Sequence, residues 1–355
     1  MAIKQWKEIE EKFKDAIETQ NILLSLENEP IDKIFSQLQS TKYCQESYID
    51  ILSRKIVSCV RSHPQTMMKY IELCNMLNNY FLEKQSKVDF LNTFISILSF
   101  SKDCQIINGY QEFLNNMEKI ILNKTEYKED PIISLFRTDD VQMLQKLHEN
   151  ATFDIDYLYH FDNPMFFPGS ISTHLIHLAA YFGALKCFKY LLINGASLHT
   201  KDEIFGSSWF QIEDAAIYGG CIEIIKLLEQ RNYTKFSLAT AALTNRNLIF
   251  KWIYGHKFQQ EMSLSSLYCS SIANNLELMI FCIKNGEDIN SINENPLIAA
   301  INFANYEVVQ LLFWRNRLDV NIETQNHENI LTLAKKHNDL KMCKLILSHP
   351  KFRGK

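Results

Sequence analysis

The stretch HLIHLAAYFGALKCFKYLLINGASLHT, residues 174–200, carries the most regular pattern in the chain. A run of small residues precedes Gly183, an apolar run follows it, and Gly195 comes near the end of the stretch. Apolar residues recur at helical spacing on both sides of Gly183. Glycine readily adopts the left-handed backbone that ends a helix. The stretch therefore predicts two short helices joined by a tight turn, which is a helical hairpin.

The hairpin pattern recurs through the second half of the chain. ALKCFKYLLINGASLH follows Gly183, NLELMIFCIKNGEDIN follows Asn274, and NYEVVQLLFWRNRLDVN follows Ala304. Shorter or looser copies read CIEIIKLLEQRN, RNLIFKWIYGHK and DLKMCKLILSHPKF. Small residues such as Ala299 and Ala300 come before the turns. The predicted turn residues, spaced by 37, 25, 29, 30 and 34 positions, are Gly183, Gly220, Asn245, Asn274, Ala304 and Asn338.

A repeated hairpin has a physical reason to stack. Two short antiparallel helices expose apolar surface on both flanks, and neighbouring copies bury that surface against each other. Alanines on the first helix of each copy let the backbones approach closely, while Leu, Ile and Phe on the second helix fill the outer layer. The alternative is an irregular helical bundle whose segments resemble each other by chance. The spacing of the turn residues favours an all-α helical-hairpin solenoid.

These copies resemble the ankyrin repeat. Its signature runs Thr-Pro-Leu-His-x-Ala-Ala, Gly-His, two valines, Leu-Leu, Gly-Ala and Asn. In the copy at 174–199, the matching residues are His177, Ala179, Ala180, Gly183, Leu191, Leu192, Gly195 and Ala196. In the copy at 295–321, they are Pro296, Leu297, Val308, Val309, Leu311, Leu312 and Asn321. The resemblance covers roughly 170 to 349 and implies a stack of helical hairpins that binds another protein.

The copies also depart from the ankyrin signature. The motif proline is kept only in the copy at 295–321, and the region 211–254 lacks the Gly-Ala ending. A degenerate copy, DPIISLFRTDDVQMLQKLHE at 130–149, starts the array with Asp139 at its turn. A helical N-terminal region followed by such an array resembles the divergent ankyrin proteins of some protists, many of which carry a helical N-terminal segment.

The N-terminal part of the chain predicts a helical bundle. Ile49, Leu52, Ile56 and Val60 form one apolar stripe at helical spacing, and further stripes follow. The charged segment NKTEYKEDP, residues 123–131, is the expected boundary. The sequence therefore predicts an α-helical N-terminal domain at 1–128, a degenerate first repeat with an aromatic insert at 129–170, and an ankyrin-like repeat array at 171–355.

Composition narrows the class of protein. A hydrophobic content of 46% with 22% charged residues is typical of a soluble folded chain. The net charge of −4 provides no basic face for nucleic acid. The most apolar run, FLNTFISILSF at 90–100, is too short to cross a bilayer, and the charged N-terminus does not fit a signal peptide. Nine cysteines without a Cys-x-x-Cys pair suit a reducing compartment. We expect a cytoplasmic protein that neither binds nucleic acid nor inserts into a membrane.

No pattern in the sequence predicts catalysis. His174 and His177 lie three apart on one helix and could present two metal ligands, but no third ligand has supporting spacing. In the ankyrin resemblance, the histidine at the position of His177 hydrogen-bonds the turn backbone instead. Phosphate-loop, nucleophile-elbow and His-Glu-x-x-His motifs do not occur. One of the nine cysteines could still act as a nucleophile with partners elsewhere. The sequence predicts no enzyme, no cofactor and no metal.

The exposed surface is where function is expected. Ankyrin repeats usually hold a partner with their loop tips and with the exposed side of their first helices. Two longer inserts, FDNPMFFPGS at 161–170 and KDEIFGSSWF at 201–210, carry aromatics that could anchor a partner. The alternative is that these rings pack onto the array. The predicted protein-binding residues are Phe166, Phe167, Tyr181, Phe182, Trp209, Phe210, Tyr218, Asn302, Phe303, Lys336 and His337.

The sequence thus favours a non-enzymatic interaction module or scaffold that binds another protein through repeat loops and a concave face. One alternative is an adaptor whose N-terminal bundle links the partner to a second machine, such as a ubiquitin ligase. Another is a catalytic N-terminal domain that the repeats target.

Overall fold

The structure is a computed structural model in which the chain divides into two compact units. The first unit comprises Met1–Ser62, Lys69–Cys104 and Leu264–Lys355, and the second comprises His63–Met68 and Gln105–Ser263. The described backbone covers residues 2–84, 86, 89–101, 117–121, 129–150, 152–161, 171–199, 202–204, 207–256, 264–337 and 339–354. Within these ranges, the side chains of residues 2–5, 98–101, 171, 202–204 and 207–210 lie outside the description.

Helices make up most of the described chain, so the predicted all-α fold class is confirmed. Buried apolar stripes explain the N-terminal helices. Ile49, Leu52, Ile56 and Val60, for example, are all buried as predicted. The N-terminal helices are α1 (Ala2–Leu24), α2 (Ile31–Gln39), α3 (Ile49–Ser62), α4 (Met67–Glu83) and α5 (Phe90–Ser101). Single 3₁₀ turns lie at Ser25–Glu27, Lys42–Cys44, Glu46–Tyr48 and Pro64–Thr66.

Seven helical hairpins follow in the described residues, and each has a first and a second helix. Four belong to the second unit: α6 (Pro131–Arg137) with α7 (Val141–His148), α8 (Leu175–Tyr181) with α9 (Leu185–Ile193), α10 (Ile212–Gly219) with α11 (Ile222–Glu229), and α12 (Leu238–Leu243) with α13 (Asn247–His256). Three belong to the first unit: α14 (Ser266–Ile272) with α15 (Leu276–Lys284), α16 (Pro296–Asn302) with α17 (Tyr306–Phe313), and α18 (Ile330–Lys336) with α19 (Leu340–Leu347).

Left-handed residues make the hairpin turns, as the sequence predicts. In six turns, the left-handed residues are Asp139, Gly183, Gly220, Asn245, Asn274 and Ala304, with φ between 51° and 69°. The seventh predicted turn residue, Asn338, lies outside the described residues. The N–H after the turn residue typically donates to a carbonyl five residues earlier, as Ala184 does to Ala179 at 2.8 Å and Asn275 does to Ser270 at 2.8 Å. The hairpins are therefore copies of one local structure.

First helices stack side by side within each unit. In the second unit, α8 contacts α6 and α10, and α10 contacts α12. In the first unit, α16 contacts α14 and α18. The small residues that precede the turns are fully buried, as at Ala179 and Ala180. A helix that buries alanines against its neighbours can approach them closely, which explains why this position excludes large side chains.

A small sheet lies beside the hairpins of the second unit. Its strands are β1 (Leu158–Phe161), β2 (Ile171–His174), β3 (Asp202–Ile204) and β4 (Ser207–Phe210), which pair antiparallel in the order β1-β2-β3-β4. Ser172 of β2 pairs with Glu203 of β3. Strands β3 and β4 lie in the insert predicted at 201–210, and β1 and β2 lie at either end of the insert predicted at 161–170. The sequence did not predict strands at either place.

The first unit groups the N-terminal helices with the three hairpins after residue 264. Helix α1 contacts both α15 and α17. This grouping differs from the division expected from sequence, in which residues 1–128 form a domain of their own. The contacts join groups more than 200 residues apart in sequence, which no local pattern reveals. The expected boundaries at 128 and 170 stay a prediction.

Candidate protein-binding surface

Aromatic side chains gather where the first helices α8 and α10 end. The ring of Tyr181 stacks on Tyr218, with centroids 5.5 Å apart, and meets Phe182 edge-on at 5.2 Å. Phe182 and Tyr218 are half-buried and form the accessible part of this aromatic cluster. The expectation that Tyr181 is exposed is wrong, because its ring is fully buried. The side chain fills the space between two successive first helices.

Close backbone packing and polar contacts hold this cluster in place. A Cβ atom at Gly219 would lie 2.0 Å from the carbonyl oxygen of Ala180, so only glycine fits between α8 and α10. The carbonyl of Tyr218 accepts hydrogen bonds from Gln65 at 3.2 Å and from the guanidinium of Arg246. The aromatic cluster therefore rests on a rigid backbone, as a binding surface requires.

The edge strand β1 carries a second group of aromatic rings. Tyr157, just before the strand, is 53% exposed and packs edge-on against Tyr159 at 4.9 Å. Tyr159 stacks in turn on Phe161 at 6.2 Å. Partial burial, together with the nearby Tyr157 and Asp154, raises the pKa of the Tyr159 hydroxyl. This hydroxyl stays neutral at physiological pH and can both donate and accept a hydrogen bond.

The predicted aromatic anchors lie in or between the strands. Phe166 and Phe167 lie outside the described residues, in the segment that joins β1 to β2. Trp209 and Phe210 lie on β4, where the structure describes the backbone alone. Because β2 pairs with β3, the strands at either end of the first insert and the strands of the second insert belong to one sheet. Binding by these four residues stays a prediction.

In the first unit, the N-terminal helices cover the ends of the first helices. Phe303, predicted as exposed, is only 8% exposed, because the guanidinium of Arg61 lies 4.7 Å from its ring centroid. Asn302 and His337 are half-buried. Lys336 is exposed and forms an ion pair with Glu328. The expectation for Phe303 is wrong, since helix α3 occupies the side on which its ring lies.

A buried ion pair lies at this covered side. Lys55 of α3 is 1% exposed and pairs with Glu307 of α17. The hydroxyl of Tyr43 donates to the same carboxylate at 2.6 Å, and burial and the nearby charge of Glu307 raise the pKa of that hydroxyl. The Lys55 ammonium also donates to the carbonyl of Ala16 at 3.2 Å. Several partners thus satisfy both buried charges.

A second polar contact follows along α3. The guanidinium of Arg54 lies 4.8 Å from the ring centroid of Tyr306 and 3.6 Å from the Asp339 carboxylate. The Tyr306 hydroxyl donates to Asp339, and burial is the main cause of its raised pKa. The carboxylate of Asp339 also caps α19 by accepting from the N–H of Met342 at 3.0 Å. The Asp339 carboxylate therefore caps α19 and also contacts Tyr306 of α17 and Arg54 of α3.

The described cysteines are not activated for nucleophilic chemistry. Burial raises the thiol pKa of all eight of them, for Cys44 to about 11 and for Cys59 to about 12. The thiolate is the reactive form, so a raised pKa keeps these groups inert. No group of three potential metal ligands occurs in the described part of the chain. No helix in that part is long and apolar enough to span a membrane.

The sequence alone does not reveal the residues of the N-terminal helices that cover the hairpins of the first unit. Lys55 and Arg61 looked like ordinary helix-surface charges, because their partners lie far away in sequence. The only local signal is the position of Lys55 next to Ile56 in the apolar stripe of α3. Gly219 was also missed, since a second glycine next to a turn glycine looks like loop flexibility.

Comparisons with known proteins found a similarity to ankyrin repeats in one hairpin. Residues 174–203 match the family model described as Ankyrin repeat. No curated protein matches the chain in sequence. The crystal structure of the human ASB11 ankyrin repeat domain shares 14% sequence identity with this chain at a TM-score of 0.44, and the alignment covers 61% of this chain and 98% of that one. The match at 174–203 covers one hairpin, α8 with α9, which is thus similar to an ankyrin repeat. The ankyrin assignment of the other hairpins and the closer resemblance to protist proteins stay predictions.

Proposed function

We propose that the chain is a non-enzymatic, cytoplasmic scaffold that holds another protein on the second unit. The partner binds the four-stranded sheet and the aromatic cluster where α8 and α10 end. The pairing of β2 with β3 carries this proposal, because it joins the strands next to the first aromatic insert with those of the second in one sheet. A few hot-spot residues supply most of the binding energy at protein interfaces, and Trp and Tyr are enriched among them. Ankyrin repeats act widely as protein-interaction modules, which supports the same class of function.

The inert thiols support a role without catalysis. Each described cysteine has a raised pKa and behaves as a small apolar residue. Polar groups at the covered side of the first unit, such as Lys55 and Glu307, are paired with each other. They stabilise contacts between helices and are not open to a substrate. The buried thiols and the Lys55–Glu307 pair therefore serve helix packing, so the exposed aromatic residues are the candidates for binding a partner.

The test begins with capture of the partner by the full chain from a lysate of the native cells. Mass spectrometry identifies the partner, and its affinity is then titrated with purified proteins. The double variant Phe167→Ala with Trp209→Ala should weaken binding by about 2 kcal/mol, roughly 30-fold, as truncation of hot-spot residues does. Tyr157→Ala should weaken binding in the same direction.

Tyr254→Ala is the matched control, because Tyr254 is also an exposed tyrosine of the second unit but lies on the second helix α13. It should leave the affinity unchanged. Circular dichroism checks that every variant folds. Unchanged affinity in both Tyr157→Ala and the double variant, with folding intact, would place the partner elsewhere.

A further inference from the structure

The covered side of the first unit combines acidic and aromatic groups in one strip. We define this acidic strip as Ala273, Phe303, Tyr306, Glu307 and Asp339, which come from three successive hairpins. All five residues are buried in the chain as it stands. Glu307 and Asp339 carry its negative charge, Phe303 and Tyr306 supply ring faces, and Ala273 offers a backbone carbonyl. Such a strip suits a ligand that carries positive charges and a hydroxyl at fixed spacing.

Helix α3 presents the matching groups on one face. Arg54, Lys55, Ser58 and Arg61 fall at offsets 0, 1, 4 and 7, which lie on one side of a helix. The Ser58 hydroxyl donates to the carbonyl of Ala273 at 2.8 Å. Each of the other three side chains contacts a ring or a carboxylate of the strip. Each of these four α3 side chains therefore has its own partner in the acidic strip.

The other side of α3 packs within the N-terminal helices. Helix α3 contacts α1 and α5. The thiol of Cys59 interacts with the hydroxyl of Tyr70, which in turn donates to the carbonyl of Leu23 at 3.0 Å. Buried apolar side chains such as Ile56 and Val60 help to hold α3 inside its own bundle, and polar and cation–π contacts hold that bundle on the acidic strip. Buried charge pairs lose much of their Coulombic gain to desolvation, so they favour specificity over strength.

We infer that the acidic strip is a second protein-binding site, which the chain fills with its own α3, and that a partner presenting a basic helix of the same spacing replaces α3 there. This site is separate from the sheet and the aromatic cluster of the proposed function. Release of α3 exposes Phe303 and Tyr306 together with the two carboxylates. The N-terminal helices therefore act as an intramolecular ligand that keeps the site closed until such a partner competes.

Thiol labelling in the full chain tests this inference. Ser58→Cys places a thiol at the contact, while the native Cys59 reports unfolding of the N-terminal helices and Cys269 reports unfolding of hairpin α14/α15. All three positions are buried. Under native conditions, position 58 should be labelled at least about tenfold faster than Cys59 and Cys269, because release of α3 exposes it without unfolding either part.

Glu307→Gln, added to Ser58→Cys, should accelerate labelling at position 58 while Cys269 stays slow. A peptide of residues 46–63 with Cys59 replaced by serine should accelerate it too, and the same peptide with Lys55→Glu should not. Ser62→Cys, one turn further along the same face, replaces Ser58→Cys if that variant folds poorly. Equal labelling rates at all three thiols, unaltered by the peptide, would overturn the inference, since α3 would then leave only on unfolding.

Discussion

Glu213 and Glu223 lie in one hairpin of the second unit, and their carboxyl pKa values shift in opposite directions. Glu213 is buried in α10, and desolvation raises its pKa. Glu223 is exposed in the first turn of α11, where a backbone N–H stabilises the carboxylate and lowers its pKa. The surroundings of each side chain decide how its charge acts on folding.

Glu213→Gln should make the protein more stable than wild type at pH 7. The folded pKa of Glu213 lies above the unfolded value of about 4.3, so ionisation opposes folding as pH rises through the folded pKa. Below pH of about 4 both states are protonated, and the advantage of the variant should disappear. Urea denaturation of both proteins at pH 4 and pH 7 measures the difference.

Glu223→Gln is the control with opposite sign. Its folded pKa lies below the unfolded value, so the charge favours folding above pH of about 4 and the benefit is lost as pH falls. This variant should be less stable than wild type at pH 7, with a gap that narrows towards pH 4. If Glu223→Gln were more stable than wild type at pH 7, or Glu213→Gln less stable, the directions of these two pKa shifts would be wrong.

Close contact between successive first helices determines how the helical hairpins are spaced in the array. A Cβ atom at Gly219 would lie 2.0 Å from the Ala180 carbonyl oxygen and 2.7 Å from the Gly183 nitrogen. Both are backbone atoms, so they cannot move aside as a flexible side chain could. The spacing between α8 and α10 depends on the missing side chain.

Gly219→Ala should therefore destabilise the second unit by about 1–3 kcal/mol or more, as overpacking does. Gly255→Ala is the matched control, because Gly255 lies exposed in helix α13 and no neighbour comes within 4 Å of the added Cβ. That variant should be neutral or gain up to about 1 kcal/mol from helix propensity. Denaturation of both variants gives the comparison, and equal losses would refute the close approach of α8 and α10.

The helical hairpins could be predicted from the sequence because they depend on local signals, namely residue type and repeat spacing. Gly183, Asn245 and Asn274 tolerate left-handed backbone, so the hairpin turns followed from residue type and spacing. Ala304 was located by the repeat interval, although alanine itself does not favour that conformation. The strands were missed because they are only three or four residues long and lie in or next to inserts whose Pro and Gly residues predict loops. Their pairing depends on partners that short alternation cannot identify.

The sequence predicted the array of hairpins in both units, but it did not predict that the N-terminal helices cover the hairpins of the first unit. Charged side chains such as Lys55 and Arg61 are typical of an exposed helix surface. Phe303 was predicted as part of an exposed binding face. Their burial follows from contacts between residues more than 200 positions apart, as between Lys55 and Glu307. Periodicity describes one helix at a time, so it identifies the apolar stripe of α3 and leaves its polar partners unknown.

The N-terminal helices cover the first-helix ends of the last three hairpins, and Lys55 of α3 pairs with Glu307 of α17 at this contact. A double-mutant cycle tests the contact, with Lys55→Met and Glu307→Gln made singly and together. Each single variant leaves a buried partner and should lose about 3–5 kcal/mol of unfolding free energy. The double variant should lose less than the sum, by a coupling energy of about 1–3 kcal/mol.

A cycle on the exposed pair Lys33 and Glu29, with Lys33→Met and Glu29→Gln, is the control and should give a coupling of about 0.5 kcal/mol or less. Lys55 and Glu307, 252 positions apart in sequence, should couple strongly when unfolding free energies are measured by urea denaturation of the full chain. Additive losses, with a coupling energy no larger than that of Lys33 and Glu29, would show that α3 does not contact α17 and that the N-terminal helices do not cover these hairpins.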